Sequence, residues 1–168
     1  ETSDLIGKES TFMDVHFQDT SRQHKKGLIR ELNKRRSCYE GIFVQLDPEW
    51  GVYIGGFKPH YSAACNIIQF WNIFNRTWVQ DRELNLPNQF PNTHHAVSYD
   101  GQTRYLYLVS GQVGGGCNVV SSKALRIHVE SGDIQFLPDL PEGRYAAGSG
   151  LVKVRTENKV ETHLHVFG

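Results

Sequence analysis

A chain of 168 residues with 18 basic and 18 acidic side chains has the length of one domain. Its balanced charge provides no global field to draw it onto nucleic acid. Sixteen glycines, frequent aromatics and a single methionine favour strands and tight turns over helices, and no run approaches the ~18 apolar residues of a membrane-spanning helix.

The first residues, Glu1-Thr2-Ser3-Asp4, show neither an initiator methionine nor a signal-peptide pattern. The last, Val166-Phe167-Gly168, come straight out of an apolar strand. Together they predict a piece of a longer chain, with any targeting segment outside it. Residues 1–37 read as an N-terminal basic segment. Arg22, Lys25, Lys26, Arg30, Lys34, Arg35 and Arg36 are opposed there only by Glu31. Leu28, Ile29 and Leu32 fall at helical spacing, so a short amphipathic helix or a linker is expected. Its plain reading is a solvated lead into the domain. The alternative is a surface for acidic partners or anionic lipid.

From Tyr39 the pattern changes to period two with turn residues between runs. Gly41–Leu46 predicts a strand, Asp47-Pro48-Glu49 a turn, and Gly51–Gly56 a strand ending in a double glycine. Cys65–Phe74 predicts a third strand, Asn75-Arg76-Thr77 a turn, and Trp78–Gln80 a short fourth strand. The series then recurs. His95–Tyr99, Tyr105–Gly111, Lys123–Val129 and Ile134–Leu137 are strands, with turns at Asp100-Gly101 and Ser131-Gly132-Asp133. A third round begins at Tyr145–Val152 and reaches Thr162–Gly168. Gly55, Ser110 and Gly168 stand at one register, about 55 and 58 residues apart, and Trp78 aligns with Phe136.

Four short strands repeated at such a period predict an all-β fold, a β-propeller fragment. It would hold two blades (about 38–90 and 93–141) and the start of a third (144–168), so that the second unit spans 38–168. Each sheet would bury both faces against neighbouring blades. Glycines would end the second strands where a side chain would collide, and the late aromatics Trp78 and Phe136 would fill space between blades.

An apolar run into Gly-Gly (Val52 to Gly56), a turn before a Trp (Asn75 to Trp78), and Pro141-Glu142-Gly143-Arg144-Tyr145 together resemble the kelch-repeat family. Tyr105–Gln112, Cys117 and Leu137–Ala146 are more specific, and with Tyr39–Leu46 they resemble the plant kelch-repeat proteins whose parent chains carry an N-terminal membrane anchor. The resemblance covers roughly residues 38–168 and implies the endomembrane system (Golgi or endosome), against a cytoplasmic alternative. Two repeats depart from the pattern: Phe90–His95 replaces the usual Arg-aromatic pair, and Ser110-Gly111 replaces Gly-Gly.

By that resemblance Arg144 lies near one mouth of the propeller, where it can meet acidic ligands. Its structural alternative is an arginine bonded to neighbouring backbone and carboxylates. Tyr145, His94, Gln112 and Lys58 complete the candidate contacts on blade loops. Gly111–Cys117 is glycine-rich but lacks the Gly-Lys-Ser/Thr of a phosphate loop, and reads as the loop between second and third strands.

His94 and His95, adjacent on a strand, would face opposite ways. His163 and His165 share a face, but His165 holds the packing position of Tyr107, and no carboxylate close in sequence is expected to complete a site. No metal, cofactor or catalytic set is therefore expected. Cys38, Cys65 and Cys117 lack zinc or CxxC spacing and read as buried free thiols. One disulfide plus one free thiol is the alternative, and would require an oxidising compartment. Asn75-Arg76-Thr77 is a glycosylation sequon in a predicted turn. The function expected is a binding module that recognises a protein or glycan through its loops. The alternative is a fragment of a carbohydrate-active propeller, an oxidase or epimerase of sugars.

Overall fold

The computed structural model describes residues 41–168, apart from 59–62, 89, 92, 114–118 and 158. The basic segment, Cys38 and Cys117 lie outside the described residues. Strands β1 (Ile42–Gln45), β2 (Trp50–Ile54), β5 (Ile67–Asn72) and β6 (Thr77–Asn85) form one antiparallel four-stranded sheet in the order β1-β2-β5-β6. Strands β7 (Ala96–Asp100), β8 (Tyr105–Val109), β11 (Ala124–His128) and β12 (Ile134–Leu137) repeat that meander as a second sheet. Strands β13 (Gly148–Arg155) and β14 (Val160–Phe167) make a hairpin. Between the second and third strands of each sheet the chain adds a small two-stranded extension. These are β3 (Phe57–Lys58) with β4 (Ala63–Ala64), and β9 (Gln112–Val113) with β10 (Val119–Val120). The described residues are thus all β, in the two-blades-and-a-hairpin arrangement that the repeat predicts.

The turns follow from residues that bond their own backbone. Asp47 Oδ1 accepts the N–H groups of Glu49 and Trp50 at 2.9 and 2.8 Å. Asn72 Oδ1 accepts that of Asn75 at 2.8 Å, and Asp100 Oδ1 that of Gln102 at 3.0 Å. Each of these reversals therefore starts on an Asp or Asn that closes a strand, or in the case of Asp47 stands two residues past one.

One face of each sheet supplies the core. Val52, Ile54, Ile68 and Phe70 of the first blade meet Leu106, Leu108, Leu125 and Ile127 of the second, all at most 1% exposed. Each fully buried aliphatic side chain contributes about 1.5–3 kcal/mol. Arg82 reinforces the interface from β6. Its guanidinium stacks 4.0 Å from the Phe70 ring centre and donates to the carbonyl of Val129 at 3.2 Å. On the other face of the first blade, Trp78 packs edge-on against Trp71 and Tyr53, at 5.0 and 6.4 Å between ring centres.

The first strands of successive blades lie together, with β7 beside both β1 and β13. Ser98 and Ser149 hydroxyls meet at 2.8 Å across β7 and β13. Lys153 reaches buried Asp100 at 3.5 Å and also bonds Gln102. Burial alone would raise the Asp100 pKa, but the Gln102 N–H, Thr103 and Lys153 outweigh it and hold the carboxyl below its ordinary value.

Several expectations need correction. The fourth strand of the first blade runs nine residues rather than three: β6 bulges between Trp78 and Glu83, opposite Gln69–Trp71, and stays paired as far as Asn85. Phe136 does not fill an interblade gap. It stands on β12, the last strand of its sheet, and is 58% exposed. His165, at the repeat position of Tyr107, is exposed on the β13–β14 hairpin, whereas the Tyr107 face is covered by β13. Cys65 is not a free thiol: it is buried and disulfide-bonded.

Candidate functional site

Strand direction sorts the loops into two ends. The turns after β1, β5, β7 and β11 lie at one end. The extensions β3–β4 and β9–β10, with the interblade segments 86–95 and 138–147, lie at the other. Four sequence candidates meet at this second end, on the loop face.

Ser110 and Gly111 organise it. Their φ values are 59° and 106°, matching 66° and 110° at Gly55 and Gly56 in the first blade. A Cβ on Gly111 would stand 2.6 Å from the Thr93 carbonyl oxygen and 2.8 Å from the His95 nitrogen, so the close approach requires glycine. Ser110 adopts the left-handed conformation in glycine's place, and its hydroxyl is fully engaged. Its Oγ accepts the Arg144 N–H at 2.6 Å and lies 2.6 Å from the Arg144 carbonyl and 2.7 Å from that of Ser121. The Gly111 N–H also donates to the Arg144 carbonyl at 2.8 Å.

Around that knot the backbone closes further. Gln112 and Thr93 bridge, with the Gln112 N–H donating at 2.8 Å. The Ala146 N–H donates to the His94 carbonyl at 3.1 Å. Segment 143–146 is thereby held against 93–95, 110–111 and 121. The Arg144 backbone is structural, while its side chain remains at the surface. The guanidinium donates to the Gly168 carbonyl and lies 3.9 Å from the Glu142 carboxylate. Tyr145 is 60% exposed beside it.

His94 joins this end through its backbone, in a left-handed conformation with φ 54°. It therefore does not simply alternate with His95 along a strand. His95 is 2% exposed and neither ring nitrogen has a hydrogen-bond partner among the described residues. Burial, with a smaller contribution from His94, lowers its pKa to about 4, so the ring is neutral at physiological pH. Lys58 pairs with Ala63 in the matching extension of the first blade, and its side chain lies outside what the structure describes. Of the glycine-rich loop, residues 114–118 lie outside the described residues. Asn75 is not on the loop face: it stands in the turn after β5, at the opposite end.

Sequence reasoning misses two residues here. Ser110 is visible as a departure from Gly-Gly, but its hydroxyl bonds are not. The isolation of His95 has no signal in the sequence. One expectation also fails at the hairpin. His163 and His165 do share a face, stacked at 6.4 Å, but a carboxylate is close, with Glu161 3.2 Å from His163. Bonds from Lys159 first, then His163, hold Glu161 below its ordinary pKa. Among the described residues, no three His, Cys, Asp or Glu side chains gather as a metal site.

No protein-family model matches the sequence. The chain is similar to a kelch repeat-containing protein of Arabidopsis thaliana, 28% identical over 129 residues, or 77% of this chain and 27% of that protein. It therefore spans about a quarter of the length of this curated relative. Its fold is similar to the solved structure of YjhT, with a TM-score of 0.52 and 10% identity over 75% of this chain and 45% of that one.

Proposed function

We propose that this chain, a kelch-repeat β-propeller segment, is a protein-binding module whose partner docks on the loop face of its blades. One observation carries the reading. His94, Gln112, Arg144 and Tyr145, distant in sequence, are pinned to one end by backbone bonds around Ser110, while the Tyr145 ring and Arg144 guanidinium stay at the surface. A rigid frame that leaves an arginine and an aromatic outward is the chemistry of an interface anchor. A complementary partner would present a carboxylate to Arg144 and an apolar group to Tyr145. An endomembrane location, with an anchor elsewhere in the parent protein, is the companion reading. It draws on the plant resemblance and on the Cys65 disulfide.

The test places a photo-cross-linking aromatic at Tyr145 and, separately, at exposed Phe74 on the opposite end. Cross-linking of a polypeptide from Tyr145, absent from Phe74 and lost on Arg144→Ala, is expected. Bound copper or turnover of a free sugar by the full-length parent would overturn the binding-module reading in favour of a carbohydrate-active enzyme.

A further inference from the structure

The turn joining β5 to β6 carries Asn75-Arg76-Thr77, the only Asn-x-Ser/Thr triplet in the sequence. Such a triplet matters only where the acceptor is accessible and the chain meets the right compartment. Here both conditions have structural support. Asn75 and Thr77 are exposed, at the tip of a hairpin whose geometry is fixed by the Asn72 Oδ1 bond to the Asn75 N–H at 2.8 Å and by Arg76 at φ 54°. Independently, Cys65 is disulfide-bonded while only 3% exposed. Buried disulfides of this kind form in oxidising compartments, the same ones in which asparagine is glycosylated.

We propose that Asn75 carries an N-linked glycan, added as the chain enters an oxidising secretory lumen. In the transfer, the Asn75 amide nitrogen bonds to the anomeric carbon of a lipid-linked oligosaccharide. The lipid pyrophosphate leaves with the bonding pair, and the amide gives up one proton. The glycan projects from the end of the blade opposite the loop face, so it leaves Arg144 and Tyr145 uncovered. This modification stands independently of what the loop face binds.

The chain is expressed behind a cleavable eukaryotic signal peptide, and lysate and medium together are treated with peptide N-glycosidase. One mobility step is expected in the wild type. It should vanish in Asn75→Gln and in Thr77→Ala, and persist in Thr77→Ser, which keeps the triplet. Thiol alkylation before and after reduction monitors Cys65 in every variant, separating loss of the site from misfolding. A wild-type chain with Cys65 protected from alkylation but no glycosidase-sensitive step would overturn the site. Cys65 freely alkylated without reduction in the lumenal product would overturn the oxidising premise and the proposal with it.

Discussion

The Oγ of Ser110 lies 2.6 Å from both the backbone nitrogen and the backbone oxygen of Arg144, 34 residues further on. A single hydroxyl thus fastens the end of a second strand to the segment that enters the next blade. It accepts from Arg144 N–H and has one proton to share between two carbonyls. Glycine at this position would satisfy the backbone conformation but could not make the bonds.

That relationship predicts an order of stability. Ser110→Ala leaves the half-buried Arg144 N–H unpaired and keeps a Cβ at positive φ, a loss of about 1–3 kcal/mol. Ser110→Gly loses the same bonds but relieves the conformation, so it should be milder than alanine. Urea midpoints of the two variants against wild type measure the difference. An alanine variant at least as stable as the glycine variant would contradict the account.

A second prediction compares glycines. Gly111→Ala would force a Cβ to within 2.6 Å of the Thr93 carbonyl at φ 106°. A strained backbone of this sort costs on the order of 1–3 kcal/mol before the clash is added. At Gly148 nothing lies within 4 Å of the point where a Cβ would stand, so Gly148→Ala should change thermal stability little. Parallel melting curves of the two variants decide it.

A third concerns pH. With a folded pKa of about 4 against an ordinary 6.5, His95 is neutral when folded and protonates more readily when unfolded. Stability is unaffected by it above 6.5, falls as pH drops from there, and levels off below about 4. The full loss is about 3 kcal/mol. Asp100, whose pKa is lowered on folding, adds a loss in the same direction at lower pH. Urea titrations between pH 7 and 4 should therefore show a steeper decline in wild type than in His95→Leu. Equal slopes would remove His95 from the explanation.

How much of this could be read beforehand depends on range along the chain. Strand and turn signals are local: Asp47, Asn72 and Asp100 each bond a backbone N–H within three residues, so the turns they start show in the residues themselves. The repeat register shows in the glycines, because their φ requirement holds whatever surrounds them. What stays hidden depends on distant partners. The length of β6 comes with a register shift against β5, where β6 carries the extra residues between Trp78 and Glu83. The exposure of Phe136 depends on what lies beside the last strand of its sheet. In sequence Arg144 reads as either a contact residue or a structural one, yet its backbone serves the frame and its side chain the surface. Cys65 is disulfide-bonded, a state that cysteine spacing in the sequence cannot assign.

The meander also sets the order in which the protein can be made. Every strand in the two four-stranded sheets pairs with one close to it in sequence, as Asp100 with Tyr105 and Val109 with Ala124. Loop closure is then cheap at each step, and such contacts form fast. The bonds between blades span 34 residues for Ser110 with Arg144 and 51 for Ser98 with Ser149. A nascent chain can complete its first sheet before the second has been synthesised. Docking of one blade on the next is left as the late event, and it is where an assembling propeller stays open longest.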